Sequence, residues 1–212
     1  MQILRNEEIP RGEWIDLVKS SSGGNFFQHP NYYEFTKSLG QDKIFVLGCK
    51  SNGVLVGVLQ FIVVDTLIPF FSRRTIIYGG PIVCDGRSDV IEFLFDELIK
   101  STKKSIYIEF RNLFETSIYK SCFFKYKFKY EPHNNVLVRI DKKNPLSKIN
   151  SSKVRQIKKS LNLGCEIREP LNIKEVNDFY LLLKKLYKTK VKKPLPSWKF
   201  FKDFYLKPDL GK

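Results

Sequence analysis

Two apolar runs joined by a short polar turn constrain the fold of this chain more than any other feature. The runs are residues 44–50 and 54–64, and Ser51-Asn52-Gly53 separates them. Asn-Gly between two β-rich runs predicts a β-hairpin. Both runs are almost wholly apolar rather than alternating, so we expect both faces of these strands to be covered. The sequence therefore predicts a central sheet with helices on either side.

The segments around the hairpin alternate between strand and helix patterns. Because this order interleaves helices with strands and includes one antiparallel hairpin, it predicts an α/β (α+β) fold with a mixed sheet flanked by helices. The predicted strands are 2–5, 44–50, 54–64, 75–78, 105–110 and 136–140. The predicted helices of this part are 11–20, 31–35, 89–100 and 116–124.

Positive charge is concentrated in the last third of the chain. The whole sequence has 37 Lys and Arg against 22 Asp and Glu, a net charge of +15. Residues 142–212 contain 19 of the basic and 6 of the acidic residues, a net of +13. A local excess of this kind indicates an anionic partner rather than a general device for solubility.

The best candidate for an anion site is a basic amphipathic helix predicted over residues 148–163. Ser151 or Ser152 can cap its N-terminus, where free N–H groups and the helix dipole favour phosphate. A solvated basic face is the alternative interpretation. The cations that we expect to bind phosphate are Lys153, Arg155, Lys158 and Lys159.

Glycines and charged residues follow two of the predicted strands. Tyr78 ends strand 75–78 and is followed by Gly79 and Gly80, which allow close approach of the backbone to a ligand. Glu109 and Arg111 lie at the end of strand 105–110, where clefts of α/β proteins open. We expect these residues to line a cleft; a plain turn and a structural ion pair are the alternatives.

Conventional catalytic and metal-binding patterns are scarce. No G-x-S-x-G, P-loop or H-E-x-x-H motif is present, so catalytic residues stay unassigned. His29 is expected to pack or to cap a helix, and His133 to lie in a loop. The four scattered cysteines do not have zinc-ligand spacing, so no metal is predicted.

The sequence predicts neither a membrane-spanning helix nor a secretory signal. The longest uncharged apolar stretch, residues 51–64, is shorter than the roughly 20 residues of a spanning helix. The first residues mix both charges and have no apolar signal region. We therefore expect a cytoplasmic protein.

A weak internal repeat connects the two ends of the chain. The order strand, helix, polar break, proline and aromatic helix occurs around Pro30 and again around Pro196, an offset of about 165 residues. The second copy is predicted to contain a strand at 165–168 and a helix starting at Ile173. Because only part of a second copy is present, we expect incomplete packing beyond about residue 165.

Several motifs, in the same order along the chain, resemble the FemAB-like proteins, the peptidoglycan bridge-forming aminoacyltransferases. They are the segment 25–35 (NFFQHPNYYEF), Gly79-Gly80-Pro81, the segment 108–112 (IEFRN), the segment 152–160 (SKVRQIKKS) followed by Gly164, and Phe179-Tyr180 with Pro194-Leu195-Pro196.

The resemblance implies two tandem domains similar to GNAT N-acyltransferases. Residues 1–147 would form the first domain. Residues 148–212 would contain the basic linking helix and an incomplete start of the second. The residues expected to shape the cleft for the acceptor are Tyr78, Gly79, Gly80, Glu109 and Arg111.

The resemblance also implies a reaction. An aminoacyl group would pass from aminoacyl-tRNA to an amine on the stem peptide of a peptidoglycan precursor. The partners would be tRNA and an undecaprenyl- or nucleotide-linked cell-wall precursor, both polyanionic, with peripheral contact to the anionic inner face of the membrane. Beyond the donor substrate, aminoacyl-tRNA or acyl-CoA, no cofactor is expected.

Two other functions stay open at this point. One is an acyl-CoA-dependent N-acetyltransferase that acts on a sugar or a small amine. The other is a non-catalytic, anion-binding remnant, since an incomplete second domain leaves activity undecided. The sequence does not distinguish the two donors.

Overall fold

A mixed sheet of six strands organises the first part of the chain. The computed structural model describes residues 1–40, 43–65, 72–112, 114–133, 143, 146–147 and 149–207. The strand order is β1-β2-β3-β4-β6, and β5 pairs with β3. All pairs are antiparallel except β4 with β6, which is parallel. The strands are β1 Gln2–Arg5, β2 Lys43–Ser51, β3 Val54–Val64, β4 Arg74–Tyr78, β5 Ile82–Val83 and β6 Tyr107–Arg111.

Seven α-helices accompany these strands in the described residues. They are α1 Arg11–Ser20, α2 Pro30–Leu39, α3 Ser88–Ser101, α4 Lys120–Lys125, α5 Ser151–Asn162, α6 Ile173–Leu186 and α7 Trp198–Leu206. Proline suits the first turn of α2 because its missing N–H needs no partner there. His29 caps α2 by accepting a hydrogen bond from Asn31 N at 3.2 Å, as expected. Gly40, with a φ of 69°, ends the helix.

The predicted hairpin between β2 and β3 is confirmed. Ser51 pairs with Val54, and Asn52 and Gly53 have φ angles of 50° and 80°. Positive φ at both central residues is what a tight turn between twisted strands requires. Neighbouring side chains of β2 are buried on opposite faces of the sheet: Val46 belongs to the hydrophobic core on one face and Leu47 to the core on the other. The sheet is therefore covered on both sides, as its apolar runs predict.

Each face of the sheet has its own hydrophobic core. On one face, Leu94 and Phe95 of α3 and Phe123 of α4 pack on β2, β3 and β4. On the other face, Trp14 of α1 and Tyr33 of α2 pack on the same strands. The expected mixed α/β fold, with a mixed sheet between helices, is confirmed.

The chain divides into two compact units. The first unit comprises Met1–Glu131 together with Pro196–Lys212, and the second comprises Pro132–Leu195. Helix α7 belongs to the first unit because its Phe200 ring lies 5.4 Å from that of Phe35 in α2. Lys199 Nζ also donates a hydrogen bond to the Ser38 carbonyl. The assignment of 1–147 and 148–212 to successive GNAT-like domains stays a prediction.

The second unit has few buried apolar side chains. Helix α6 is capped by Asn172, whose Oδ1 accepts from Glu175 N, and Glu175 also forms a two-bond ion pair with Arg168. Val176 is 6% exposed, whereas Ile167 is 98% exposed and Leu182 is 64% exposed. The expected incomplete packing is thus seen for residues 165–195, whereas α7 packs on α2 of the first unit.

Four predicted elements differ from the structure or lie outside its described part. The strand at 165–168 is wrong: this segment is irregular and exposed, and no described strand is paired with it. The helix at 116–124 is instead a 3₁₀ turn, Ser117–Tyr119, followed by α4. Strand β6 begins at Tyr107, two residues later than predicted. The strand predicted at 136–140 lies outside the described residues.

Candidate active site

The sheet opens between β5 and β6, where three residues interrupt a strand. Residues 79–81 separate β4 from β5, and the Gly80–Pro81 peptide is cis. Gly79 N donates to the Arg111 carbonyl at 2.9 Å, which extends the pairing of β4 with β6 by one bond. In the described residues β5 then pairs with β3 and not with β6. A cleft therefore begins directly after Tyr78 and Arg111.

A buried glutamine from the segment between α1 and α2 replaces the missing strand pairing. Gln28 is fully buried, and its Oε1 accepts from Gln60 N at 2.7 Å. Its Nε2 donates to the carbonyls of Gln60 at 3.0 Å and Tyr78 at 2.8 Å. One side-chain amide thus satisfies three backbone groups that the interruption leaves unpaired. It also holds Tyr78 at the edge of the cleft.

Asn25 also holds the segment 79–81, which interrupts the strand, in place. Its Nδ2 donates to the Gly79 carbonyl at 2.7 Å, and its Oδ1 accepts from Phe27 N at 3.0 Å. Gly79 has a φ of 59°, and a Cβ there would lie 2.6 Å from the Asn25 amide. A Cβ on Gly80 would lie 2.8 Å from the Gln28 amide. The two glycines therefore let polar side chains of the protein itself approach the backbone.

Sequence reasoning did not assign a role to Asn25, Gln28 or Gln60. One signal was available: apart from glycine, Gln60 is the only residue of 54–64 that is not apolar. A polar side chain inside a strand buried on both faces needs hydrogen-bond partners. Its amide Nε2 donates to the Phe27 carbonyl at 2.7 Å, beside Gln28.

Three of the predicted cleft residues form a compact cluster at the opening. The Arg111 guanidinium donates to both oxygens of Glu109 at 2.9 Å and to Tyr78 Oη at 3.0 Å. It also lies 5.4 Å from the centre of the Tyr78 ring. The Glu109 carboxylate raises the pKa of Arg111. We call Tyr78, Glu109 and Arg111 the cleft cluster.

The cleft cluster has no net charge at neutral pH. Glu109 neutralises Arg111, so the cluster is better suited to a neutral polar group than to a phosphate. Tyr78 Oη accepts a hydrogen bond from Arg111, which leaves its own proton free to be donated. Asn112, the next residue, has a buried Oδ1 with no hydrogen-bond partner among the described residues. The Tyr78 hydroxyl is the donor that is available beside the opening.

An apolar cavity of about 330 Å³ lies beside Tyr78, between α2 and the sheet. Helix α7 and the residue Pro196 form part of its wall. None of its described lining residues carries a charge. We call it the α2 pocket, and its lining residues are Tyr32, Phe35, Thr36, Leu39, Ile62, Val64, Ile76, Tyr78, Pro196 and Phe200.

The four predicted phosphate ligands all lie exposed on α5, in the second unit. Arg155 and Lys158 line a shallow depression of about 500 Å³ together with Ser151. Lys153 points elsewhere and donates to Gln156 Oε1 at 3.4 Å. In the described part of the chain, none of the four, Lys159 included, forms an ion pair. Their binding of phosphate stays a prediction.

The cap of α5 differs from the expected one. Asn150 is the N-cap, and its Oδ1 accepts from Ser152 N at 2.9 Å. Ser151 and Ser152 are instead the first helical residues. Asparagine caps helices at least as well as serine, so the helix begins at Ser151, one residue earlier than a Ser151 cap would place it.

The turn from β5 into α3 is acidic. Asp85 lies in the turn, and Asp89 lies in the first turn of α3, where Arg87 forms an ion pair with it at 2.6 Å. Carboxylates at a helix N-terminus interact with the same N–H groups and dipole that a phosphate would use. This turn is therefore a poor site for the diphosphate of a nucleotide donor.

Other titratable groups do not add a catalytic centre. Burial lowers the pKa of His29, and Arg11 and Lys19 lower it further, so this capping residue is neutral at pH 7. His133 is exposed and outside regular structure, as expected. Across the described ranges, no group of three or more His, Cys, Asp and Glu is placed to hold a metal ion. In the same ranges, no helix is long and apolar enough to cross a bilayer.

Comparison with solved structures identifies the fold. The crystal structure of FemX superposes with a TM-score of 0.68 at 15% sequence identity, over 97% of this chain and 54% of FemX. The chain therefore shares the mixed α/β fold of the part of FemX that it matches. It spans about half of the length of FemX.

Two further similar structures are acetyltransferases. Aminoglycoside 6'-N-acetyltransferase AAC(6')-IG from Acinetobacter haemolyticus has a TM-score of 0.46 at 16% identity, over 66% of this chain and 100% of its own. The ribosomal-protein-alanine N-acetyltransferase from Brucella melitensis biovar Abortus 2308 has a TM-score of 0.45 at 14% identity, over 66% and 98%. No protein-family model and no curated protein matches the sequence.

Proposed function

We propose that this protein is an aminoacyltransferase of the FemAB type. It would transfer an aminoacyl group from aminoacyl-tRNA to an amine on the stem peptide of a peptidoglycan precursor. The observation that carries the proposal is the similarity to FemX over 97% of the chain, including the basic second unit. The motifs that resemble FemAB-like proteins support it independently, because they occur in the same order along the sequence.

The distribution of charge supports this choice of substrates. Both the tRNA and the precursor's phosphates are polyanionic, and phosphate contacts provide most of the affinity of proteins for nucleic acids. The exposed cations of α5 are available for such contacts. The cleft cluster, in contrast, is neutral, which suits an ester and an amine better than a phosphate. We further propose that the precursor is reached at the cytoplasmic face of the membrane.

The chemistry needs little beyond positioning. The amine nitrogen attacks the ester carbonyl, the C–N bond forms, the C–O bond to the tRNA ribose breaks, and the amine proton ends on the ribose oxygen. An aminoacyl ester is already activated, so holding the amine against it supplies much of the acceleration. The Tyr78 hydroxyl proton would stabilise the oxyanion.

The acidic turn before α3 favours aminoacyl-tRNA over acyl-CoA as the donor. A CoA diphosphate would meet Asp85 and the ion pair of Arg87 with Asp89, a net negative charge, at the helix N-terminus, which is the natural diphosphate site of a strand–turn–helix. An aminoacyl ester presents no diphosphate there.

A transfer assay with two labelled donors tests the proposal. Purified protein is incubated with a nucleotide-linked stem-peptide precursor and either a mixture of aminoacyl-tRNAs or acetyl-CoA, each labelled in the acyl group. We expect label in the precursor from aminoacyl-tRNA and none from acetyl-CoA. Transfer from acetyl-CoA alone would replace the proposal with an N-acetyltransferase, and salt-dependent tRNA binding without transfer would indicate a non-catalytic module.

A matched pair of tyrosines tests the cleft cluster. Tyr78→Phe removes the proposed oxyanion donor, whereas Tyr107→Phe removes a hydroxyl on the same face of the sheet that accepts from Arg74 at 3.4 Å. Loss of one such donor lowers kcat by about 100-fold. We expect this loss for Tyr78→Phe and a change of less than about 3-fold for Tyr107→Phe. Equal activities of the two variants would remove Tyr78 from the mechanism.

The cations of α5 are tested by the salt dependence of tRNA binding. Each phosphate contact contributes about 0.7–0.9 to the slope of log K against log salt. The double variant Arg155→Gln/Lys158→Gln should therefore flatten the slope by roughly 1.4–1.8. Lys103→Gln/Lys104→Gln removes two exposed charges from the first unit and is the control. Equal slopes for both double variants would mean that α5 is only a solvated surface.

A further inference from the structure

We propose that the turn formed by residues 25–28 is the positioning element of the site and determines where the Tyr78 hydroxyl lies in the cleft. The proposed reaction leaves this part of the motif NFFQHPNYYEF without a role. The inference rests on the proposed function, because it takes Tyr78 as the donor to the oxyanion. It adds three positioning residues that act through Tyr78: Asn25, Phe27 and Gln28.

Local hydrogen bonds fix the shape of the 25–28 turn. Phe26–Gln28 is a 3₁₀ turn, and the Asn25 side chain caps it by accepting from Phe27 N at 3.0 Å. Gln28 N donates to the Asn25 carbonyl at 3.2 Å. Asparagine suits this position because its short side chain reaches the N–H two residues further on. The turn therefore presents Asn25, Phe27 and Gln28 in a fixed arrangement.

Gln28 takes the place of a strand pair. The register of β3 with β4 pairs Ile62 with Ile76. Two residues further along, the same register would pair Gln60 with Tyr78. Instead, the side-chain amide of Gln28 accepts from Gln60 N at 2.7 Å and donates to the Tyr78 carbonyl at 2.8 Å. Paired strands lie about 4.8 Å apart, and an amide between them needs a wider gap. Gln28 thus determines how far the end of β4 lies from β3.

Further contacts hold the ring of Tyr78 and the residue that follows it. Asn25 Nδ2 donates to the Gly79 carbonyl at 2.7 Å. The Phe27 ring lies 5.4 Å from the Tyr78 ring, with an angle of 31° between the two planes. From β6, Arg111 donates to Tyr78 Oη at 3.0 Å. The backbone, the ring and the hydroxyl of Tyr78 are therefore each held by a separate contact, and the turn supplies the first two.

The rate of transfer depends steeply on the position of such a donor. A hydroxyl stabilises an oxyanion only when it lies about 2.7–3.1 Å from the developing charge. A displacement of about 1 Å can cost on the order of 100-fold in rate. Tyr78 is only half-buried, so its ring depends on Phe27 and Arg111 for its orientation. The turn therefore contributes to the acyl transfer step through Tyr78 and not to the binding of tRNA.

Two phenylalanines of the turn give a matched pair for the test. Phe27→Leu removes the ring that contacts Tyr78, whereas Phe26→Leu removes a neighbouring ring that contacts Phe27 and Tyr32. Both variants of the full chain are measured in the transfer assay with labelled aminoacyl-tRNA. We expect Phe27→Leu to lower kcat by about 10-fold and to leave the KM for aminoacyl-tRNA unchanged. Phe26→Leu should keep the native kcat and KM.

A double-mutant cycle shows whether Phe27 acts through the Tyr78 hydroxyl. In a Tyr78→Phe background this hydroxyl is absent, so Phe27→Leu should then lower kcat by less than about 2-fold. A general loosening of the fold would instead lower kcat by the same factor in both backgrounds. If thermal unfolding shows that Phe27→Leu does not fold, Asn25→Asp takes its place in the cycle. Asn25→Asp keeps the cap on Phe27 N and removes the donor to the Gly79 carbonyl.

Nuclear magnetic resonance of ring-labelled tyrosine measures the same positioning without any reaction. The Tyr78 signal is identified by its absence from Tyr78→Phe. It should shift in Asn25→Asp, where the loss of the bond to the Gly79 carbonyl releases the end of β4 and no aromatic ring is removed. Asn31→Asp, the same exchange in the first turn of α2, is the control and should leave the Tyr78 signal in place.

Three results would overturn the proposal: equal kcat values for Phe27→Leu and Phe26→Leu, an equal loss in both backgrounds of the cycle, or an unmoved Tyr78 signal in Asn25→Asp. Undiminished transfer by Tyr78→Phe would reject the role of Tyr78 and this positioning role with it. A native protein that transfers no aminoacyl group from tRNA would reject the proposed function. The Tyr78 signal would then decide alone whether the turn positions this residue.

Discussion

Replacing Gln28 by methionine should destabilise the protein more than any other exchange of a glutamine for a methionine in the described residues. Methionine has a similar length and fits the same space, but it offers neither an N–H donor nor a strong acceptor. Three buried backbone groups, Gln60 N, the Gln60 carbonyl and the Tyr78 carbonyl, would lose their partners. An unsatisfied buried group costs about 1–3 kcal/mol, so the three together should cost about 3–9 kcal/mol.

Gln60→Met and Gln2→Met are the controls. Gln60 is also buried, but its side chain makes one hydrogen bond, to the Phe27 carbonyl, while its Oε1 has no partner in the described residues. Gln60→Met removes this Nε2 donor together with the Oε1 atom that has no partner, so it should cost about 1 kcal/mol or less. Gln2 is exposed on β1, and its replacement should change stability by less than about 0.5 kcal/mol. Urea unfolding followed by fluorescence and circular dichroism gives all three values.

Gln28→Glu separates hydrogen bonding from shape. At pH 7 an ionised carboxylate would face the two carbonyls that now accept from Gln28 Nε2. Burial raises the pKa of such a carboxyl above its unfolded value of about 4.3. The destabilisation relative to the native sequence should therefore shrink as pH falls through that raised pKa towards about 4.3, because only the folded state holds the proton there and the protonated form donates one bond. A difference independent of pH, or a Gln28→Met no worse than Gln60→Met, would refute the account of this bridge.

Three further predictions concern the surroundings of the site. Gly80→Ala places a Cβ 2.8 Å from the Gln28 amide and should cost about 1–3 kcal/mol in urea unfolding. The pKa of His29 is lower in the folded protein than in the unfolded chain, so the contribution of neutral His29 to stability is fully present above about pH 6.5 and is lost as pH falls below it. The variant His29→Gln should therefore lose less stability than the native sequence between pH 7 and 5. Phe35→Ala should cost about 3–5 kcal/mol and speed proteolysis of α7, which loses its ring contacts; unchanged proteolysis would mean that α7 is held otherwise.

Local sequence signals predicted most of the sheet and helices. Asn52-Gly53 marks the hairpin because its turn requires two residues that tolerate positive φ, and the continuous apolar runs around it indicate burial on both faces. The segment 165–168 has strand-like composition, but it fails as a strand because a strand depends on a neighbour for its hydrogen bonds. Sequence composition alone does not show whether that neighbour exists.

Only the part of the candidate site that lies at strand ends was predicted from the sequence. Tyr78, Glu109 and Arg111 end two strands that pair in parallel, and the register Tyr78–Arg111 brings them together. Gln28 and Asn25 act across more than thirty residues of intervening chain, on backbone groups rather than on side chains. No local pattern encodes such contacts. The packing of α7 on α2 is likewise a long-range contact that neither helix indicates alone.

The separation of charge from the cleft leads to a last prediction about kinetics. The cleft cluster is neutral and held rigidly by Gln28 and Asn25, so it can act on the acyl transfer step without adding to the attraction of polyanions. The cations of α5 carry no such positioning contacts and are exposed. Tyr78→Phe should therefore lower kcat with little change in KM for aminoacyl-tRNA, and the slope of KM against salt should persist. Arg155→Gln/Lys158→Gln should raise KM and flatten that slope while kcat at saturation is kept. If either variant changed both parameters equally, binding and chemistry would share the same residues.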